Sequence, residues 1–161
     1  IASCLVGSEM CIRDSTVPGP TGERNVYTLA PRARVLCMAQ SADDLLVQTA
    51  AVLASGGTAL WPSAHAGLRA KLPTHVQAQV ILQDNALSDG TVALDAVLHH
   101  GDAASLQTVC TTLARRPGPI VGVTALQPGA TNIPLERLLI ERALSVNTAA
   151  AGGNASLMTI G

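Results

Sequence analysis

His99-His100-Gly101-Asp102 is the stretch of this sequence best suited to proton transfer. A histidine ring close to a carboxylate can act as a general base. The same four residues also fit the solvated end of a strand, with Asp102 capping the next helix. We favour the solvated strand end and keep the general base as the alternative.

The four cysteines of the chain are the other residues with reactive side chains. Cys37 falls within an apolar run typical of a buried strand, and Cys110 falls on the apolar face of a predicted helix. We therefore predict that both are core residues, because a nucleophilic thiolate needs an exposed, electropositive setting. Neither the cysteines nor the four histidines show metal-ligand spacing, so no metal site is predicted. Reduced thiols are typical of a cytosolic protein, and we expect a cytosolic location.

The elements that position these residues alternate between strands and helices. Ser41 predicts a helix start after the strand that contains Cys37, and Gly56-Gly57 predicts the end of that helix. Strands that are apolar throughout indicate a parallel sheet covered on both faces. The sequence therefore predicts a doubly wound, mainly parallel, Rossmann-like α/β domain. Its strands are expected at residues 34–39, 58–61, 79–82, 94–99 and 119–124, with helices after Ser41, at 64–72 and after Asp102.

A nucleotide site at this predicted sheet is disfavoured by the turn after the first strand. That turn reads Gln40-Ser41-Ala42-Asp43, with a second aspartate at Asp44. Dinucleotide-binding turns need glycines so that backbone amides can approach a pyrophosphate, and the carboxylates would repel it. We therefore predict no cofactor in this part of the chain.

Composition excludes other classes of function. The 161 residues carry a net charge of -1, with 48% hydrophobic and only 13% charged residues. This balance offers no basic surface for nucleic acid. Apolar runs are far shorter than the roughly 20 residues that span a bilayer, so we expect a soluble protein with no transmembrane segment. The low charge instead indicates a neutral surface that packs against another domain.

The first fifteen residues have a composition unrelated to the rest of the chain. Leu5 to Ser15 reads LVGSEMCIRDS and resembles the in-frame translation of a sequencing-library adapter. On this interpretation residues 1–15 are an artefact, and we predict that they pack poorly. The natural protein is then expected to extend upstream of Thr16.

Most of the remaining chain resembles one enzyme family. From GPTGERN (Gly19 to Asn25) through YTLAPRARVLCMA to the final LERLLIERALSVNTAAAGGNASLMTIG, it is similar to the carboxyl-terminal region of long-form proline utilization A. The resemblance implies a parent with an FAD-dependent proline dehydrogenase and an NAD-dependent 1-pyrroline-5-carboxylate dehydrogenase. It further implies that this region has the nucleotide-binding fold of the aldehyde dehydrogenase superfamily, is non-catalytic, and covers the tunnel through which the intermediate passes. Residues 16–140 would form that domain and residues 141–161 a docking motif.

The uncharged end of the chain is the candidate docking site. Small residues allow close backbone approach, and polar ones supply hydrogen bonds without the cost of burying charge. Gly152-Gly153-Asn154 can alternatively form a tight turn or an anion-binding nest, and the whole tail can be a frayed terminus. The expected partner is the upstream dehydrogenase domain of the same polypeptide. The alternatives are a stand-alone nucleotide-binding enzyme and a module for homo-oligomerisation. The predicted docking residues are Ser145, Asn147, Thr148, Gly152, Gly153, Asn154 and Ser156.

Overall fold

Strands and helices alternate over most of the chain, as the sequence predicts. The computed structural model describes residues 13–18 and 23–147. Their strands are β1 (Arg13–Val17), β2 (Glu23–Pro31), β3 (Arg34–Met38), β4 (Thr58–Trp61), β5 (Val80–Leu82), β6 (Ala96–His100), β7 (Gly122–Leu126) and β8 (Leu139–Asn147). Their helices are α1 (Ala42–Ala54), α2 (Ala66–Arg69), α3 (Thr74–Gln77) and α4 (Ala103–Arg115), with 3-10 turns at Ser63–His65 and Leu135–Leu138.

Five of the strands form a parallel sheet in the spatial order β5-β4-β3-β6-β7. The chain therefore adds strands on one side of β3 and then crosses to its other side. The point of reversal lies between β3 and β6, as in dinucleotide-binding folds. This confirms the predicted doubly wound, Rossmann-like class.

Helices cover both faces of this sheet, which explains why its strands are apolar throughout. On one face, α1 packs Leu45 and Val52 against Val35 of β3 and neighbouring side chains. On the other face, Val109 of α4 packs in a second cluster with Leu36 and others. Successive residues of β3 thus enter opposite cores, because side chains alternate across a strand.

Local signals set the ends of the two long helices. The Ser41 side chain accepts a hydrogen bond from the Asp44 amide at 3.0 Å, which caps α1. Gly56 follows that helix with a φ of +90°, a conformation that glycine adopts without strain. The Asp102 carboxylate accepts from the Ser105 amide at 2.8 Å and caps α4. These caps confirm the predicted starts of both helices.

A second, antiparallel sheet was not predicted. It has the order β1-β2-β8, and we call it the arm. All nine residues of β2 pair with β8, from Glu23 opposite Asn147 to Pro31 opposite Leu139. Residues 16 and 17 belong to β1, and residues 23 and 24 belong to β2. Residues 141–147, assigned to the docking tail, continue β8.

The arm also crosses the boundary drawn at residue 15. Arg13, Asp14 and Ser15 pair with Leu29, Thr28 and Tyr27 of β2, so these residues belong to a strand although the sequence interpretation left them outside the fold. Antiparallel pairing uses backbone groups and places little demand on side-chain type. Leu5–Ile12 lies outside the described residues.

A close backbone contact near the base of the arm makes Gly57 sensitive to substitution. A Cβ built on Gly57 would lie 2.6 Å from the Arg32 carbonyl oxygen. We expect Gly57→Ala to lower the free energy of unfolding by about 1–3 kcal/mol, the usual cost of overpacking. The matched control is Gly67→Ala in α2, where no atom lies within 4 Å, and which should stabilise by about 0.5–1 kcal/mol. Urea denaturation of both variants checks the prediction, and equal stabilities would contradict it.

Candidate functional site

The crevice between the carboxyl ends of β3 and β6 is where a Rossmann-like fold usually binds a nucleotide. In this chain, side chains from α1 and β6 meet the loop after β7 there. Gln48 and His100 are fully or almost fully buried, at 0% and 3% exposure. The crevice is therefore occupied by the protein's own polar groups.

The hydrogen bonds of Gln48 decide which ring nitrogen of His100 accepts and which donates. The Gln48 Nε2 amide donates to the Met38 carbonyl oxygen at 3.0 Å and lies 2.8 Å from His100 Nδ1. Because the amide nitrogen only donates, Nδ1 must be the acceptor. The proton then sits on Nε2, which donates to the Ala130 carbonyl oxygen at 2.9 Å. Both ring nitrogens of His100 thus have partners within the fold.

A carboxylate occupies the other side of the same crevice. Asp44 lies in the first turn of α1 and is 7% exposed. Its Oδ1 accepts from the Gly129 amide at 3.0 Å and lies 4.0 Å from His100 Nε2. Asp44 and His100 thus hold residues 129 and 130 across the strand ends. A phosphate placed here would lie beside the Asp44 carboxylate.

His99 lies on the opposite face of β6, and its burial contradicts the prediction of a solvated strand end. Both histidines were expected at a solvated strand end, but His99 is only 4% exposed and His100 only 3%. His99 packs beside Gly101, where a Cβ would lie 2.5 Å from the ring. The Asp102 carboxylate caps α4, so the described contacts of this aspartate are structural. The prediction failed because β6 is an interior strand, between β3 and β7, and extends to His100. Helices cover both faces of the sheet at this position.

Burial lowers the pKa of His99 below its usual value of 6.5, and the negative charge of Asp102 partly opposes this shift. The unfolded chain therefore binds a proton at higher pH than the folded chain does. We expect the free energy of unfolding to fall as the pH drops through and below about 6.5. The measurement is urea denaturation about one pH unit above and about one below this value.

The control for the pH effect is a pair of glutamine variants. His99→Gln should reduce the pH dependence of unfolding, whereas His75→Gln, at an exposed position on α3, should leave the His99 contribution in place. An equal pH dependence in the wild type and His99→Gln would contradict the assignment to His99. The depressed carboxylate pKa of Asp102 acts below 3.8, outside this window.

The two described cysteines lie in different environments. Cys37 is fully buried, as predicted, and burial raises the pKa of its thiol to about 12. Cys110 is exposed, so its predicted place in the core is wrong. Val109 takes the inward position on α4 instead. Helical spacing alone could not separate these neighbours, since both lie near the edge of the apolar stripe.

The arm contains the described part of the predicted docking site. Ser145 and Asn147 lie in β8 and pair with Asn25 and Glu23. Ser145 is exposed, and so are the two apolar neighbours Leu144 at 59% and Val146 at 41%. Leu144 and Val146 were not among the predicted docking residues, because the sequence did not predict the strand that exposes them. Thr148, Gly152, Gly153, Asn154 and Ser156 lie outside the described residues.

Leu144 and Val146 form one patch. They lie opposite Val26 and Arg24 of β2, and directly opposed residues of antiparallel strands share a face of the sheet. On the other face, Tyr27 hydrogen-bonds to the Glu141 side chain. Desolvation, followed by this bond, raises the pKa of the Tyr27 hydroxyl. One face of the arm is thus held by a polar contact, and the other presents exposed apolar surface.

Neither a metal site nor a membrane-spanning helix is found within residues 13–18 and 23–147. In this part of the chain, no three histidine, cysteine, aspartate or glutamate side chains are grouped as a metal site would require. No helix among the same residues has the length and apolar character needed to cross a bilayer.

Sequence comparison relates the chain to a single kind of protein. No family model matches it. It is 55% identical to the bifunctional protein PutA of Salmonella typhimurium over 149 residues, which cover 90% of this chain and 11% of that protein. The chain is homologous to one segment of PutA. PutA of Rhizobium meliloti is 41% identical over 156 residues, covering 92% of this chain and 12% of the relative. The chain thus spans about a tenth of the length of these PutA relatives.

Solved structures agree on the fold. A structure of proline utilization A (PutA) with proline bound in remote sites matches with a TM-score of 0.54 at 23% identity, covering 73% of this chain and 14% of that one. An NADP-dependent enzyme of E. coli matches with a TM-score of 0.50 at 17% identity, covering 73% and 28%. At these identities the likeness concerns architecture, which is the Rossmann-like sheet described above.

Proposed function

We propose that this chain is the carboxyl-terminal part of a bifunctional enzyme that oxidises proline to glutamate through pyrroline-5-carboxylate. The observation that carries the proposal is the 55% identity to a segment of PutA over 90% of the chain. The parent would use FAD for its proline dehydrogenase and NAD for its 1-pyrroline-5-carboxylate dehydrogenase. Both activities would reside in the other nine tenths of the polypeptide, and the location would be the bacterial cytoplasm.

Within that parent, the chain acts as a non-catalytic docking domain that covers the tunnel for the intermediate. The crevice supports this role, because Asp44 Oδ1, Gln48 Nε2 and the two ring nitrogens of His100 bind the protein's own backbone or one another. The arm supports it as well, because Leu144 and Val146 expose apolar surface within the predicted docking motif. The partner is the upstream dehydrogenase domain. The docking contacts are formed by the seven predicted docking residues, which are Ser145, Asn147, Thr148, Gly152, Gly153, Asn154 and Ser156.

The direct test is removal of the uncharged carboxyl-terminal tail from the full-length enzyme. Deleting residues 145–161 should let the intermediate escape and produce a lag in NADH formation from proline. Because this deletion shortens β8 at Ser145–Asn147, a second deletion of residues 148–161 keeps the strand whole. Both deletions should show the lag, and a progress curve identical to the wild type would contradict the proposal.

Two controls separate leakage from other causes. NADH formation from externally supplied pyrroline-5-carboxylate should stay unchanged, since the dehydrogenase site is intact. Titrating the isolated chain with NAD tests the alternative of a stand-alone nucleotide-binding enzyme, and saturable binding in the micromolar range would favour that alternative. Sedimentation of the chain tests the oligomerisation module, which would appear as dimers.

A further inference from the structure

The arm and the parallel sheet are joined through a very short connection. β2 ends at Pro31 and β3 begins at Arg34, so only Arg32 and Ala33 lie between the two sheets. Such a junction could act as a hinge, because a pair of residues can absorb a change of backbone angles. Its contacts therefore decide how firmly the arm is oriented.

The Arg32 side chain and backbone bind to both sides of this junction. Its amide donates to the Leu138 carbonyl oxygen at 2.8 Å, and its Nε donates to the Arg137 carbonyl oxygen at 2.9 Å. These carbonyls lie just before β8, the second long strand of the arm. Its Nη1 donates to the Asp95 carbonyl oxygen at 3.0 Å, just before β6 of the parallel sheet. One guanidinium thus connects the base of the arm to the start of β6 in the parallel sheet.

The acceptors of Arg32 are themselves fixed. Leu138 is fully buried in the main core. Asp95 exchanges two hydrogen bonds with Arg34, from its amide to the Arg34 carbonyl oxygen and from the Arg34 amide to its Oδ2, each 2.9 Å long. Gly57 approaches the Arg32 carbonyl oxygen so closely that a side chain would collide with it. Arg32 is therefore held between rigid groups.

We propose that Arg32 is the positioning residue that fixes the orientation of the arm relative to the parallel sheet. Its planar guanidinium holds two carbonyl oxygens of separate segments at once, which a lysine ammonium on a flexible stem does not reproduce. The consequence for docking rests on the proposed function: an arm that swings would present Leu144 and Val146 at variable angles to the upstream domain. The orientation itself is a property of this chain and can be measured without that domain.

Hydrogen exchange of the chain gives the first test, with Arg32→Ala and Arg32→Lys as variants. Amides at the end of β2 and the start of β8 should exchange at least about tenfold faster. This factor is the one expected for the loss of one charge-assisted hydrogen bond. Amides of α1 and β3 should keep their protection. The control is Arg34→Ala, because the described hydrogen bonds of Arg34 use its backbone and its side chain is exposed. Acceleration spread equally over the whole chain would overturn the positioning role.

Pulsed electron spin resonance measures the orientation directly. One spin label uses the exposed Cys110 on α4 and the other a Leu144→Cys substitution in β8, with Cys4 and Cys11 replaced by serine. The distance distribution should broaden in Arg32→Ala and remain narrow in Arg34→Ala. If Arg32→Ala does not fold, Arg32→Lys carries the test, with an intermediate broadening expected. A distribution as narrow as the wild type in the folded variants would overturn the proposal.

These results are separable from those of the proposed function. A mobile arm in Arg32→Ala, with no lag in the full-length enzyme carrying the same change, would support the positioning role and count against docking through the arm. An unchanged arm in Arg32→Ala, together with a lag in the tail deletions, would contradict the positioning role and support the proposed function.

Discussion

Replacing Leu144 and Val146 together by aspartate in the full-length enzyme should produce a pronounced lag in NADH formation from proline. Both side chains lie exposed on the same face of the arm, where the proposed function places the upstream domain. Burying an ionised carboxylate in an interface costs several kcal/mol per ion. Since about 1.4 kcal/mol is a factor of ten, we expect the docked state to weaken by at least about tenfold for each charge. The measurement is the progress curve at saturating proline.

The matched control for the arm is Ile120→Asp. Ile120 is a fully exposed large apolar residue located before β7, outside the arm. The substitution adds one carboxylate, against two in the double variant, to an apolar surface residue and should leave the progress curve unchanged. A lag of equal size in both variants would indicate a general effect of surface charge. No lag in the double variant, with its fold verified by circular dichroism, would contradict docking through this face.

Truncation of Trp61 should have the largest effect on the stability of the chain itself. Trp61 ends β4, is fully buried, and donates from Nε1 to Thr49 Oγ1 at 2.9 Å. Thr49 in turn donates to the Leu45 carbonyl oxygen at 2.8 Å, which ties the indole to α1. Trp61→Ala should lower the free energy of unfolding by about 3–5 kcal/mol, the usual cost of removing a buried tryptophan. That is a large part of the roughly 5–15 kcal/mol that holds a domain together.

Trp61→Phe separates the hydrogen bond from the packing. Phenylalanine keeps much of the buried ring but loses the indole donor, so a smaller loss than for alanine is expected. Trp61 is the only tryptophan of the chain. Unfolding of these variants must therefore be followed by circular dichroism in urea instead of tryptophan fluorescence. Equal stabilities for the wild type and Trp61→Ala would contradict the central position of this residue.

The parallel sheet was predictable because its signals are local. Ser41 and Asp102 cap their helices through their own side chains, and both stand next to apolar runs typical of buried strands. Predicted boundaries moved by only a few residues, as with the last strand, expected at 119–124 and found at Gly122–Leu126. A pattern that is complete within about fifteen residues can be recognised without the rest of the fold.

The arm was not predictable in the same way, because each of its long strands depends on a partner far along the chain. β2 and β8 pair over nine positions although roughly a hundred residues separate them in sequence. Neither shows a simple alternation of polar and apolar residues, since both faces of this sheet are partly open to solvent. The buried state of His99 and His100 has a similar origin, as it depends on helices packed from both sides.

The pairing of β2 with β8 also sets an order on the synthesis of this protein. β2 leaves the ribosome before the parallel sheet, whereas β8 emerges only after the whole parallel sheet has been made. At a few to about twenty residues per second, the strand would wait for several seconds with one edge unpaired. Contacts between such distant segments also form late in folding. We therefore expect a nascent chain stalled before Leu139 to hold a formed parallel sheet and a β2 strand whose edge toward β8 is unpaired, a state open to chaperone binding.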